Sequence, residues 1–236
     1  MASITQRLAD RTRGGLAGAP LITYYDLDSG ERTELSTVTF GNWVTKTANL
    51  LGELAVAEGD VVRLELAGRH PGHWVTFVWA AACWQVGATV AAHRPADRVA
   101  VVVVGPDWAG YETSAASEIV ACSLHPLGMG FPETLPTGVV DYALEVRGQP
   151  DAYTGVPSAG LGVAWRDEQR SVTGADLAEL GATEPPVRRL VRPADPWSTV
   201  VAGLVTPLNT GGSAVVVVGD AEDRVAHIAE SEHATR

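Results

Sequence analysis

Lysine is nearly absent from this sequence: Lys46 stands alone beside sixteen arginines. A site that needs a compact ammonium charge therefore has one candidate for it along the whole chain. Cysteine is almost as scarce. Cys83 and Cys122 each sit inside an apolar run, which excludes a disulfide framework and reads as two small buried hydrophobes in a reducing, cytoplasmic compartment. Positive charge is short overall, with 28 acidic against 17 basic residues and a formal charge of −11. Such a balance repels phosphate backbones and anionic lipid surfaces, so neither nucleic acid nor membrane is expected as a partner. The opening "MASITQRLADRTRGG" has no apolar stretch of the kind a secretory signal needs. The longest apolar run, "VTFVWAAACWQVGATVAA" from Val75, is interrupted by Thr76, Gln85 and Gly87 and reads as a buried helix followed by a strand. No Gly-x-Ser-x-Gly elbow occurs, so a hydrolase would lack its nucleophile.

What is present is the alternation of an α/β protein. At 236 residues, 46% of them hydrophobic, the chain is long enough for one large domain with a substantial core. Residues 1–19 read as a polar lead-in with a short helix. "PLITYYDLDSGERTELS" reads as two strands turning at Asp28–Ser29–Gly30. A helix follows, with Trp43 or Val44, Thr47, Leu50, Leu51 and Leu54 at helical spacing and Thr39 as its expected N-cap. "GDVVRLELAG" reads as a strand, then comes the apolar helix from about Gly72 to Val86, then "ATVAA" as a strand. "RVAVVVVGPDW" and "SAVVVVG" are β-branched runs of the kind buried on both faces in a parallel sheet. Short strands are expected at Gly138–Val146 and Gly162–Trp165, and a helix capped by Thr173 after them. A Pro/Arg-rich joint spans 184–196. It leads into a helix over "WSTVVAGLVTPLNTGG", and after "SAVVVVG" an amphipathic helix closes the chain. The expected fold is a doubly wound, mostly parallel sheet flanked by helices, with residues 20–236 as a single domain.

Candidate chemistry is sparse. "DAYTGVPSAGLGVAWRDEQR" has the glycines and hydroxyls of a phosphate loop in Thr154, Gly155, Ser158, Gly160 and Gly162. Phosphate loops add a cation to their inward-pointing N–H groups. No lysine follows here; Asp167 and Glu168 bring negative charge, and Arg166 and Arg170 are the cations at hand. The segment therefore reads as a remnant. His70 and His73 stand three apart, a spacing found in zinc sites, but nothing nearby completes a ligand set, and no metal is expected. His93 and His125 read as isolated loop residues. Asp107 and Asp220 follow buried strands at the edge where α/β ligands bind, and read as helix caps. Trp74, Trp79 and Trp84 on one helix read as core.

Three segments in order resemble the adenylate-forming superfamily of acyl- and aryl-CoA synthetases. They are "TFGNWVTKTANLLGELAVAEGDVVRLELAG" with "ACWQVGATVAA", then "SVTGADL", then "VTPLNTGGSAVVVVGDAEDRVAHIAESEHAT". The resemblance implies a short homologue of the N-terminal domain. It is expected to lack the lysine-bearing phosphate loop, the adenine- and ribose-binding motifs and the mobile C-terminal domain with its catalytic lysine. It further implies a pseudoenzyme with no catalytic residue and no cofactor, acting as a small-ligand or protein-interaction module. An acyl or aryl molecule is the implied ligand, with Trp197 lining its pocket. A homodimer or protein partner is expected to cover the edge the missing half would occupy. The alternative is one part of a split AMP-forming ligase, which would use ATP and magnesium and be completed by another chain.

Overall fold

The computed structural model describes residues 2–92, 98–110 and 118–236; His93 lies outside them. The chain begins with α1 (Ile4–Arg13), capped by Ser3, whose hydroxyl accepts the Gln6 N–H. Ile4 and Leu8, one turn apart, are both buried. The hairpin β1 (Pro20–Asp26) and β2 (Arg32–Ser36) turns where expected: Asp26 Oδ1 accepts the N–H groups of Asp28 and Ser29, and Gly30 takes φ 77°. Helix α2 (Thr37–Glu53) starts earlier than the spacing predicts. Ser36 is its cap, not Thr39, because Ser36 is the last extended residue (φ −64°, ψ 163°) and its hydroxyl accepts the Thr39 N–H at 3.1 Å.

Strand β3 (Val61–Leu64) is shorter than the sequence suggests, and Glu65–Arg69 forms the helical turn α3. Helix α4 (Trp74–Val86) is apolar all round, so it is buried all round: only Gln85 among its residues escapes burial. It ends at Gly87, whose φ of 81° a side chain would resist. Next come β4 (Thr89–Ala91), β5 (Val99–Val104), β6 (Glu118–Ala121) and β7 (Val139–Asp141). The expected strand at 138–146 stops at Asp141, whose carboxylate accepts the Ala143 N–H and starts α5 (Tyr142–Gly148). Strands β8 (Val163–Arg166) and β9 (Ser171–Thr173) lead to α6 (Gly174–Glu179), where Thr173 and Asp176 form a capping box. The Pro/Arg-rich joint carries β10 (Arg188–Val191). Helix α7 (Pro196–Val200), a π-helical turn at Val201–Val205 and α8 (Thr206–Thr210) run on as one rod before β11 (Ser213–Val218) and α9 (Glu222–Ser231).

The architecture is α/β with mostly parallel strands, and the strands divide between two sheets. The larger has the order β7-β6-β5-β3-β4-β8-β9, parallel except for β9. The smaller has the order β10-β11-β1-β2, with only β2 antiparallel. The two valine strands are interior to different sheets. Because β1 and β10 occupy both edges of β11, it cannot extend the larger sheet. Helix α4 packs against β3 and β4 of the larger sheet. On its other side Phe77 reaches the π-helical turn, where a Cβ on Gly203 would lie 2.6 Å from the ring. The main core draws on both sheets and includes Trp74, Trp79 and Trp84, while smaller clusters form around Val215 and Val217 and around Val102 and Val104. Among the described residues no helix is long and apolar enough to cross a membrane.

Candidate functional site

The sequence-predicted loop lies across the ends of α2 and α4 and is pinned there by one buried amide. Asn49 on α2 donates from Nδ2 to the carbonyls of Pro150 and Ala152, both at 3.0 Å. Its Oδ1 accepts both the N–H and the hydroxyl of Thr154, again at 3.0 Å. Further along, the Ser158 N–H donates to the Gln85 carbonyl at 3.0 Å and the Ser158 hydroxyl donates to Glu58. The Gly160 N–H donates to the Ser158 hydroxyl, and the Gly162 carbonyl accepts the Gly174 N–H. Gly160 and Gly174 touch backbone to backbone: a Cβ on Gly174 would lie 2.3 Å from the Gly160 oxygen. Gly155 lies against the Tyr153 ring. A phosphate nest needs successive N–H groups aimed at one point in space. Here the N–H groups of Thr154, Ser158 and Gly160 already have acceptors within the protein.

The missing cation is present from an unexpected direction. Lys46 on α2 reaches the root of the loop, donating to the Gln149 carbonyl and pairing with Asp151 at 3.1 Å. No local pattern could have shown this, because the partners are about a hundred residues apart. The arginines offered by the sequence serve the β8–β9 turn. Asp167 accepts the N–H groups of Gln169 and Arg170 on one oxygen and the Trp165 indole N–H on the other. The Arg170 guanidinium lies 3.4 Å from Asp167 and 5.5 Å from the Trp197 ring, and Arg166 is also engaged within the protein. Trp197 is a half-buried packing residue here, its ring 5.5 Å from that of Trp165.

Two spaces adjoin the loop. A cavity of about 20 Å³, lined by Ser158, Gly160, Gly162, Ile4, Trp84 and Leu177, has room for a single water. An open groove of about 700 Å³ runs between α1, α2, the end of α4 and residues 151–159. That is the size of a small-molecule site. Facing stripes of the two helices wall it, with Thr5, Ala9 and Thr12 on α1 and Val38, Asn42 and Thr45 on α2.

The other candidates separate. His73 caps α4: its Nδ1 accepts the Val75 N–H, which places the proton on Nε2, and Nε2 is buried without a partner. Burial, helped by the neighbouring His70, brings its pKa down to about 3. His70 sits half-buried beside Gly105, its pKa lowered by the same cause. Among the described residues no group of three or more His, Cys, Asp or Glu is placed to hold a metal. Asp107 pairs with Arg69, and Asp220 pairs with Arg192. Asp220 is not a cap, since α9 starts from Ala221 with no side-chain cap. Both cysteines are buried and free, and burial pushes their thiols well above the ordinary range.

No family model matches the chain. It is 36% identical over 210 residues to a Mycobacterium tuberculosis protein described as a TIGR03089 family protein, spanning 84% of this chain and 82% of that one. Among solved structures, a Brucella canis acyl-CoA synthetase superposes with a TM-score of 0.76 at 17% identity, over 99% of this chain and 46% of that one. The N-terminal domain of FACL13 from Mycobacterium tuberculosis superposes with a TM-score of 0.68 at 13% identity, over 99% and 62% respectively. A Mycobacterium tuberculosis fatty acyl CoA synthetase gives a TM-score of 0.69 at 14% identity, over 98% and 48%. The chain thus spans about half the length of the synthetases it matches, and its fold is that of the acyl-CoA synthetase N-terminal domain.

Proposed function

The chain belongs to the TIGR03089 family, and from that premise and its synthetase-like fold we propose that it is a small-ligand-binding relative that does not adenylate. The observation that supports this reading is the loop over residues 150–162. Its N–H groups at Thr154, Ser158 and Gly160 are committed to Asn49, Gln85 and Ser158, and the one lysine nearby is neutralised by Asp151. A triphosphate arriving there would have to break those bonds before making its own. The ligand would instead occupy the adjoining groove, and no metal or nucleotide enters the account. Pyrophosphate exchange into ATP tests the chemistry directly. Exchange no faster than the protein-free blank is expected with a panel of acyl and aryl acids. Exchange that depends on one of these acids would overturn the proposal and favour the split-ligase alternative.

A protein partner is the second reading, and one surface favours it. Leu127 and Met129, in the connection leading to β7, and Leu144, on α5 just after it, are 78%, 45% and 61% exposed, and β7 is an edge strand of the larger sheet. Exposed apolar side chains beside a short edge strand are the usual setting of an interface. Sedimentation velocity is expected to show concentration-dependent self-association that Leu144→Lys weakens. A chain that stays monomeric at high concentration would count against a homodimer. Reduced, buried cysteines agree with a cytoplasmic setting for either reading.

A further inference from the structure

We infer that the groove between α1, α2 and residues 151–159 takes a neutral, polyhydroxylated ligand of about one or two sugar rings. The inference rests on the small-ligand reading and adds the chemistry of the ligand. Four side chains lining the groove keep their hydrogen-bonding capacity open: Asn42, Thr45, Gln85 and Tyr153 make no side-chain hydrogen bond to any described residue. They come from three separate elements, α2, the penultimate position of α4 and the loop. The groove draws them together although nothing in the core requires it.

Each of the four groups donates and accepts. Their natural complements are groups that also do both, and sugar hydroxyls are the commonest of these. Charge narrows the class further. The one ionised side chain on the lining is Asp151, and Lys46 pairs with it at 3.1 Å. Among the described residues no uncompensated side-chain cation lines the groove, and the chain carries a formal charge of −11. A phosphate or carboxylate would lose its hydration without gaining a partner. The alternation of polar and apolar lining, with Val38, Ala9 and Pro157 between the amides and hydroxyls, suits a ring that has both C–H faces and hydroxyl edges. The volume of about 700 Å³ lies well inside the range of ordinary small-molecule sites.

The test is a titration of the isotope-labelled protein followed by amide and side-chain NMR. The neutral probes are methyl glucoside, maltose and N-acetylglucosamine; the charged counterparts are glucuronate and glucose 6-phosphate. The expected result is saturable shifts at millimolar sugar in the signals of Asn42, Thr45, Gln85 and Tyr153, with the charged probes at least about fivefold weaker. Asn42→Leu and Gln85→Leu each weaken the neutral sugar about tenfold, the loss of one good hydrogen bond, while the thermal midpoint barely moves because both residues face the groove. Absence of saturable shifts, equal binding of the charged probes, or indifference to both substitutions overturns the inference. None of those outcomes bears on pyrophosphate exchange, so the non-adenylating reading stands or falls separately.

Discussion

Asn49 carries more of the loop's conformation than any residue within the loop. Its side chain closes four hydrogen bonds from a position 5% exposed. Asn49→Ala leaves two carbonyls and the Thr154 donors to find water, and is expected to cost about 2 kcal/mol or somewhat more. Denaturant midpoints measure the cost, and limited proteolysis between residues 154 and 161 should quicken with it. Lys46 and Asn49 were both in plain view on α2, yet neither could be connected with the loop by reading along the chain. Their pattern is that of an ordinary helix, and their partners are set by tertiary packing. The spacing of His70 and His73 drew notice without leading to an expected metal, and what it could not show is that the His73 Nδ1 caps α4. The titration of His73 is a measurable consequence. The ring is neutral in the folded protein until about pH 3, while in the unfolded chain it charges below about 6.5. Protons therefore bind the unfolded state more strongly across that window, and stability falls as pH drops through it. His73→Asn keeps a capping side chain and removes the titration, so its stability should vary less between pH 6.5 and 3. An unchanged pH profile would show that His73 is not the buried neutral group described.

At the scale of elements, legibility followed how much of an element's identity is local. Helix α4 was readable because twelve apolar or small residues followed by Gly87 leave no other buried form of that length. Thr173 was readable as a cap because the capping box lies within four residues. By contrast β10 looks like a linker. It is a strand because Arg188–Val191 pairs with β11 on one side and its main chain bonds Thr235 on the other, with Leu190 and Thr235 N–H groups donating across at 2.8 Å. Strand β7 and helix α5 were merged in the sequence reading because Val139–Val146 has strand-like composition, and the break depends on one cap at Asp141. The π-helical turn has a packing reason that composition hides. It carries Gly203 against Phe77, and Gly203→Ala would place a methyl 2.6 Å from the ring. Overpacking of that kind costs about 1–3 kcal/mol. Thermal unfolding of Gly203→Ala, and of the double variant Gly203→Ala with Phe77→Leu, checks it: the second change should recover part of the loss. Equal midpoints for wild type and Gly203→Ala would mean the contact carries no strain.

For the molecule as a whole, the alternation of strands and helices pointed to the fold class, and three segments in order carried the family resemblance. The division into two sheets was beyond it, because alternation records which segments are strands and not which edges they share. The proposed function rests on the loop over 150–162. Its sequence keeps the glycines and hydroxyls of a phosphate site, and its hydrogen bonds close it onto α2 and α4. Calorimetric titration with Mg-ATP, with AMP as the comparison, is the most direct test of that closure. No saturable heat and no rise in thermal midpoint are expected with either nucleotide. Micromolar binding of Mg-ATP would contradict that closure, since such an affinity requires the loop to release Asn49 and Gln85 and Lys46 to leave Asp151 for a phosphate.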